Sequence, residues 1–462
     1  MKKATVRTLS LVLALLLLLS GVLIGCAAPD LGDPIDKNEQ PGTKDDQSTE
    51  PQNTSPCDPP LNPTSNLETA PDYIRSRNLG DFEATTTDRK AFVAAQRNFG
   101  VELFKRLYAE APGENTLLSP LSVILALSLT SQGAENNTRA QLSQLLWGGM
   151  DIDTANAYLA DYLARLPENE YAQLKIANSV WMREGEVLQV NDTYLSDVAR
   201  LFAAEARRAP FDGQTVEDVN AWVSDKTDGM IDQVLEELEP ETVMLLINAL
   251  LFEAQWQEEY SEKQLIPDMF TPANGTAQQV TMMSSTEHRF LSDGMATGTY
   301  RHYRKSGYRF VAMLPNPGVS IDEYIASLDG EHIEKLLGSA GEYAIVHTRI
   351  PKFTQNCTYK SLQKTLAGMG LTDLFDPTAA DLSGMGSYGG EPLYVSSITH
   401  KTAIEVNEIG TRAAAVTVEL EAGAGMPPEQ AYTLHFDRPF VYMIVDNNNV
   451  PIFIGAVTEI EP

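Results

Sequence analysis

The chain has 462 residues, 43% of them hydrophobic and 21% charged, enough apolar side chain to bury a sizeable core. Its formal charge of −29 at pH 7 repels phosphate backbones and anionic head groups, so no nucleic acid is expected as a partner. Three cysteines without a CxxC pair, and six scattered histidines without HExxH, argue against a zinc ribbon, a thioredoxin-type centre or a metalloprotease site; no metal and no cofactor is expected.

The N-terminus reads as an address. Lys2, Lys3 and Arg7 precede an apolar run from Leu9 to Ile24, too short for a spanning helix, which ends in Leu23-Ile24-Gly25-Cys26. This ending resembles the lipobox of bacterial lipoproteins. The resemblance implies removal of residues 1–25, acylation of the Cys26 thiol and retention on the outer side of a membrane, at the cell surface or in the periplasm. An ordinary secretory signal is the alternative. Residues 26–88 are rich in Pro, Asp, Asn, Thr, Ser and Gln and carry too little apolar surface to offset the entropy of ordering. They are expected to form a flexible tether, with Cys57 inside it.

The folded part is expected over 89–462. Phe92, Phe99, Leu103 and Leu107 recur at helical spacing. Ser119-Pro120 reads as an N-cap followed by proline in the first turn, and Leu121 to Leu129 is apolar nearly all round, the mark of a buried helix. Leu174, Ile176, Val180 and Met182 share one parity of a strand. Val243 to Phe252 is almost continuously apolar and fits a central strand covered on both faces, with a buried helix as the alternative. Ser320-Ile321-Asp322-Glu323 is a capping box. Tyr343 to Phe353 alternates like a strand, Gly384 to Gly390 reads as a loop, and Phe440–Val445 and Ile452–Val457 flank Asp446-Asn447-Asn448-Asn449 as a closing hairpin. Helices come first and strands become frequent later, so the fold class is α+β in one large domain.

Enzyme signatures are missing. The chain has no Walker A loop, no GxGxxG and no GxSxG elbow. Glu236-Glu237 and Glu258-Glu259 are sequence neighbours, which do not converge on one helix face.

The most specific signal lies near the C-terminus. His400-Lys401-Thr402-Ala403-Ile404-Glu405-Val406-Asn407-Glu408, then Gly410-Thr411-Arg412-Ala413-Ala414-Ala415, resembles the serpin passage from a central strand into the reactive-loop hinge. Arg438-Pro439-Phe440 and Phe453-Ile454-Gly455-Ala456-Val457 resemble the family's closing motif. Ser119-Pro120-Leu121-Ser122 resembles the start of its second helix, Asn248-Ala249-Leu250-Leu251-Phe252 with Trp256 its NAIYFKGxW strand, and Ile350-Pro351-Lys352-Phe353 its LPKF. The motifs occur in the family's order.

The resemblance implies three β-sheets, about nine helices and an exposed reactive-centre loop used as bait. A serine or cysteine protease cuts the loop, becomes trapped as the acyl-enzyme, and is carried off as the loop inserts into the central sheet. It assigns the hinge to Glu408, Gly410, Thr411, Arg412, Ala413, Ala414 and Ala415, a polar shutter to Ser119, Ser122, Asn248 and His400, and the breach where insertion begins to Trp256. The small hinge residues suit a segment that slides between strands, and Gly410 to Ala424, fifteen residues, would span roughly 50 Å as a strand.

Hinge length and the Met426-Pro427-Pro428-Glu429 stretch both place the cut at Ala424-Gly425. Small residues there suit elastase-like or subtilisin-like proteases and argue against trypsin-like ones. The chain departs from the family at Arg412, where Glu is usual, and at Ala254, where Gly is usual. Alternation from Thr411 also turns Glu419 and Glu421 inward, where an unpaired charge is costly. The expected protein is a monomeric, lipid-anchored inhibitor of secreted proteases. A non-inhibitory surface binding protein of the same fold is the second reading, and a solute-capturing lipoprotein with two lobes is the third.

Overall fold

The computed structural model describes residues 85–273, 275–339, 341–411 and 430–460. Cys26, Cys57, Arg412 to Ala415, Glu419, Glu421, Ala424 and Gly425 lie outside the described residues. Among the described residues there are nine α-helices and eighteen strands.

The order opens with α1 (Thr86–Glu110), β1 (Thr116–Leu118), α2 (Pro120–Ser131), α3 (Asn136–Trp147) and α4 (Ile152–Arg165). Then come β2 (Ala172–Arg183), β3 (Leu188–Val190), α5 (Asp192–Phe202), β4 (Glu205–Ala209), α6 (Gly213–Lys226) and β5 (Met244–Gln255). A run of strands follows: β6 (Leu265–Phe270), β7 (Gln278–Ser292), β8 (Ala296–His302) and β9 (Arg309–Pro315). After α7 (Ile321–Ser327) and α8 (Gly330–Gly338) come β10 (Glu342–Pro351), β11 (Phe353–Tyr359) and α9 (Leu362–Gly368). The chain ends with β12 (Gly386–Tyr388), β13 (Glu391–Pro392), β14 (His400–Val406), β15 (Gly410–Thr411), β16 (Ala431–His435), β17 (Phe440–Val445) and β18 (Pro451–Val457).

Local chemistry sets the element ends. Thr85 caps α1, its Oγ accepting from the Asp88 N–H at 3.1 Å, so the first helix begins a few residues before the expected start of the folded part. Ser119 caps α2 with Pro120 in the first turn, and the helix is buried almost throughout, as its all-round apolarity predicts. Ser320 and Glu323 exchange the two bonds of a capping box. The β17–β18 hairpin turns on Asp446, whose Oδ1 accepts from the N–H groups of Asn448 and Val450, both at 2.8 Å, and Asn449 supplies the left-handed residue.

The strands form three sheets. The central one runs β11-β14-β15-β5-β2-β4. A nine-stranded sheet runs β1-β18-β17-β9-β8-β7-β10-β16, with β6 added on β7. The fifteen-residue β7 holds it together, pairing with β6 and β10 along its length and with β8 only at its end. The third sheet, β13-β12-β3, is short. It corrects the loop expected over Gly384–Gly390: Gly386–Tyr388 is a strand because Val190, Gln189 and Leu188 offer it a free edge, a pairing that leaves no periodicity in three residues.

β5 is the central strand expected from its apolar run. It pairs with β2 over eleven registered positions, and α2 packs on it. Among the described residues no helix is long and apolar enough to cross a membrane, and no group of His, Cys, Asp and Glu is arranged to hold a metal ion.

Candidate functional site

The site is built where β14 ends, the chain turns, and β15 enters the central sheet. Asn407 makes the turn: its Oδ1 accepts from the N–H groups of Ile409 (3.0 Å) and Gly410 (3.2 Å), while its own N–H donates to the Gly410 carbonyl at 2.9 Å. β15 then lies between β14 and β5, with Val406 opposite Thr411, Thr411 opposite Ala254 and Gly410 opposite Gln255. Gly410 is required here by proximity: a Cβ would lie 2.0 Å from the Ala254 carbonyl oxygen and 2.8 Å from Gln255 Cα. Ala254 stands where the resemblance anticipates Gly, and its 1% exposure shows that the extra methyl is accommodated.

Thr411 is 1% exposed and faces inward, its Oγ1 2.5 Å from the Tyr303 hydroxyl. The Tyr303 ring is stacked on Trp256, with centroids 4.6 Å apart and planes 11° apart. Trp256 in turn donates its indole N–H to the Asn407 carbonyl (2.8 Å), and its backbone N–H to the Ile409 carbonyl (2.9 Å). Trp256 thus bonds to Asn407 and Ile409, the two residues that flank Glu408, and, among the described residues, to none assigned to the hinge from sequence. Tyr303 joins Trp256 to Thr411, and no local pattern pointed to it. Glu408 meets Lys352 at 2.6 Å, across from the start of β11. Desolvation works to raise the Glu408 carboxyl, and the Lys352 ammonium with a backbone N–H outweighs it and holds the group below its ordinary value.

The four residues that the sequence assigns to a shutter are partly brought together. Ser119 Oγ accepts the Ser122 N–H at 3.4 Å and donates to the Ile452 carbonyl at 3.0 Å. The Ser119 N–H donates to His400 Nε2 at 3.3 Å, and the Thr402 hydroxyl lies 2.6 Å from the same nitrogen. His400 Nε2 is thus an acceptor and the ring is neutral; burial pushes it down to about 4. Asn248 does not reach His400. Its Nδ2 donates to Asn178 Oδ1 on β2 at 2.9 Å, because Asn178 and Asn248 are directly opposite in the β2–β5 register. Its Oδ1 is buried without a hydrogen-bond partner among the described residues.

Comparison with known proteins agrees with this architecture. A family model described as "Serpin (serine protease inhibitor)" matches residues 94–460. The chain is 29% identical over 422 residues to human Antithrombin-III (Homo sapiens), covering 87% of this chain and 89% of that one. It is 27% identical over 379 residues to Leukocyte elastase inhibitor A of Mus musculus, covering 79% and 98%. Among solved structures, the thermophilic serpin Tengpin in its native state is similar with a TM-score of 0.75 at 38% identity, covering 82% of this chain and 96% of that one. Tengpin in its latent state gives 0.72 at 36% identity, covering 83% and 100%.

Proposed function

Because this chain belongs to the serpin family, we propose that it is a suicide inhibitor of secreted serine proteases, with cysteine proteases as a second target class. The loop after Thr411 is bait. A protease that attacks Ala424-Gly425 forms an acyl-enzyme, and the freed strand inserts between β14 and β5, displacing the protease before hydrolysis completes. The chain itself is a trap, with no turnover of its own. Small residues at the cut favour elastase-like or subtilisin-like enzymes. Cys26 in its lipobox-like setting supports a lipid anchor, residues 26–88 a tether, and the protein acts as a monomer on the outer side of a membrane.

One observation carries this reading: Gly410 and Thr411 already stand as β15 in register between β14 and β5. The start of the inserting strand is seated, so continuing it requires extension rather than a new nucleation event. Ser119, Ser122, Asn248 and His400 then act as the shutter below it, and Trp256 as the breach. The test is to mix the protein with a subtilisin-like and an elastase-like protease and run a denaturing gel. A covalent band at the summed mass supports inhibition; cleaved chain without such a band contradicts it.

A second reading, a binding protein of the same fold without inhibition, draws on Thr411. Its inward side chain fixes the parity that turns Glu419 and Glu421 inward on insertion. The same gel separates the two.

A further inference from the structure

β7 forks. It pairs with β10 as far as Tyr343 and Glu342, past an irregularity after Val346, and meets β8 only at Leu291–Gly298 and Ser292–Thr297. Where β8 diverges, Arg301 enters the interior, 7% exposed. One guanidinium nitrogen donates to the Glu287 carboxylate and another to the Glu258 carbonyl. The cation lies 4.3 Å from the Tyr260 ring centroid and 5.6 Å from that of Trp256.

These contacts lead two ways. Toward the hinge, Trp256 holds the Asn407 carbonyl at 2.8 Å and the Tyr260 N–H holds the Glu408 carbonyl at 2.9 Å. Toward the strand where the loop returns, Glu287 accepts from the Ser285 hydroxyl at 2.6 Å, and Ser285 Oγ lies 2.8 Å from Thr348 Oγ1 on β10. Thr348 is in register with Leu434 of β16. A path of hydrogen bonds, the Arg301–Glu287 ion pair and cation–π contacts therefore joins β10, the strand paired with β16, to residues 407–408.

We infer that the Arg301–Glu287 pair is a positioning latch that couples the two ends of the reactive loop, holding the hinge at its seated register until the loop is cut. The inference rests on one part of the reading above, that the loop enters the central sheet between β14 and β5. Insertion without cleavage must move the hinge and strain β16 together, because both ends are still covalently joined. A fixed charge pair between them resists that motion. An apolar pair of similar volume fills the same space with as much stability and without the directional hold.

The test uses the full chain and the double variant Arg301→Met/Glu287→Leu, with Ser285→Ala as a milder variant that keeps the ion pair and removes the hydroxyl contacts of Ser285 with Glu287, Thr348 and Tyr260. Each is incubated at 37 °C without protease and sampled for the fraction of loop still cleavable by subtilisin. The double variant is expected to lose cleavability at least ten-fold faster than wild type with a thermal midpoint within a few degrees of it, and Ser285→Ala two- to five-fold faster. A purely structural role moves the midpoint and leaves the rate alone. Wild-type rates in Ser285→Ala, or in a folded double variant, overturn the latch. Fresh wild type that is cut without forming a covalent complex refutes the inhibitory reading instead, and the rate comparison still decides the latch.

Discussion

Acidification addresses the proposed shutter through one atom. His400 Nε2 accepts from the Ser119 N–H and faces the Thr402 hydroxyl, and the ring is buried. A proton on Nε2 would abolish the acceptor and leave a charge without a counter-ion among the described neighbours. Burial therefore pushes the group down to about 4, against an ordinary value of 6.5. Below pH 6.5 the unfolded chain takes up this proton and the folded chain does not, so stability rises with pH between 4 and 6.5 and falls on acidification through that window. At about 1.4 kcal/mol per pKa unit, the loss over the whole window is about 3 kcal/mol. The assay is the first urea transition measured from pH 7.5 to 4.5 for wild type and His400→Gln. Glutamine keeps an acceptor for the Ser119 N–H and does not titrate. Each protein is referred to itself at pH 7.5, so the cost of the substitution cancels. Wild type is expected to lose about 2–3 kcal/mol more than the variant. Equal pH slopes would show that His400 is not held neutral in the folded chain, and the shutter geometry would fail with it.

Thr411→Arg forces a cation into a position that is 1% exposed against Tyr303, so insertion should stall and stable complexes should fall at least ten-fold in favour of cleaved inhibitor; undiminished complex formation on a gel refutes the hinge assignment. Ala424→Arg is expected to create trypsin inhibition and weaken elastase inhibition, with peptide mapping of the elastase-cut wild type placing the bond at Ala424-Gly425; a cut three or more residues away refutes the register. Glu419→Val removes a carboxylate that insertion would bury, and should lower the number of inhibitor molecules consumed per protease trapped without moving the cut; an unchanged or higher stoichiometry means that Glu419 stays solvated or paired.

What was legible in the sequence was mostly local. Ser119-Pro120 announces α2 because a cap and a first-turn proline act on the next few N–H groups. The β5 run announces a buried strand because both of its faces must be apolar. Gly410 was expected for hinge freedom, whereas the structure requires it for close approach to Ala254, a fact that depends on β5 being its neighbour. The unread parts are set by register between distant segments. Asn178 opposes Asn248 only because β2 and β5 pair as they do, and so Asn248 bonds to β2 rather than to His400. Tyr303, just past β8, against Thr411, and Arg301 of β8 against Glu287 of β7, join segments that share no local pattern. Lys352 stood in view within Ile350-Pro351-Lys352-Phe353, but its partner Glu408 could be assigned only once β11 and the hinge were placed side by side.

The account turns on whether the cut loop becomes a strand between β14 and β5. The most direct measurement is the thermal midpoint of the chain before and after a single cleavage within Thr417 to Gly425, confirmed by mass. A new central strand adds backbone hydrogen bonds on both of its edges and releases stored strain, so the cleaved chain is expected to melt far above the intact one. An unchanged midpoint after a confirmed single cut would contradict insertion and leave the fold without the trap.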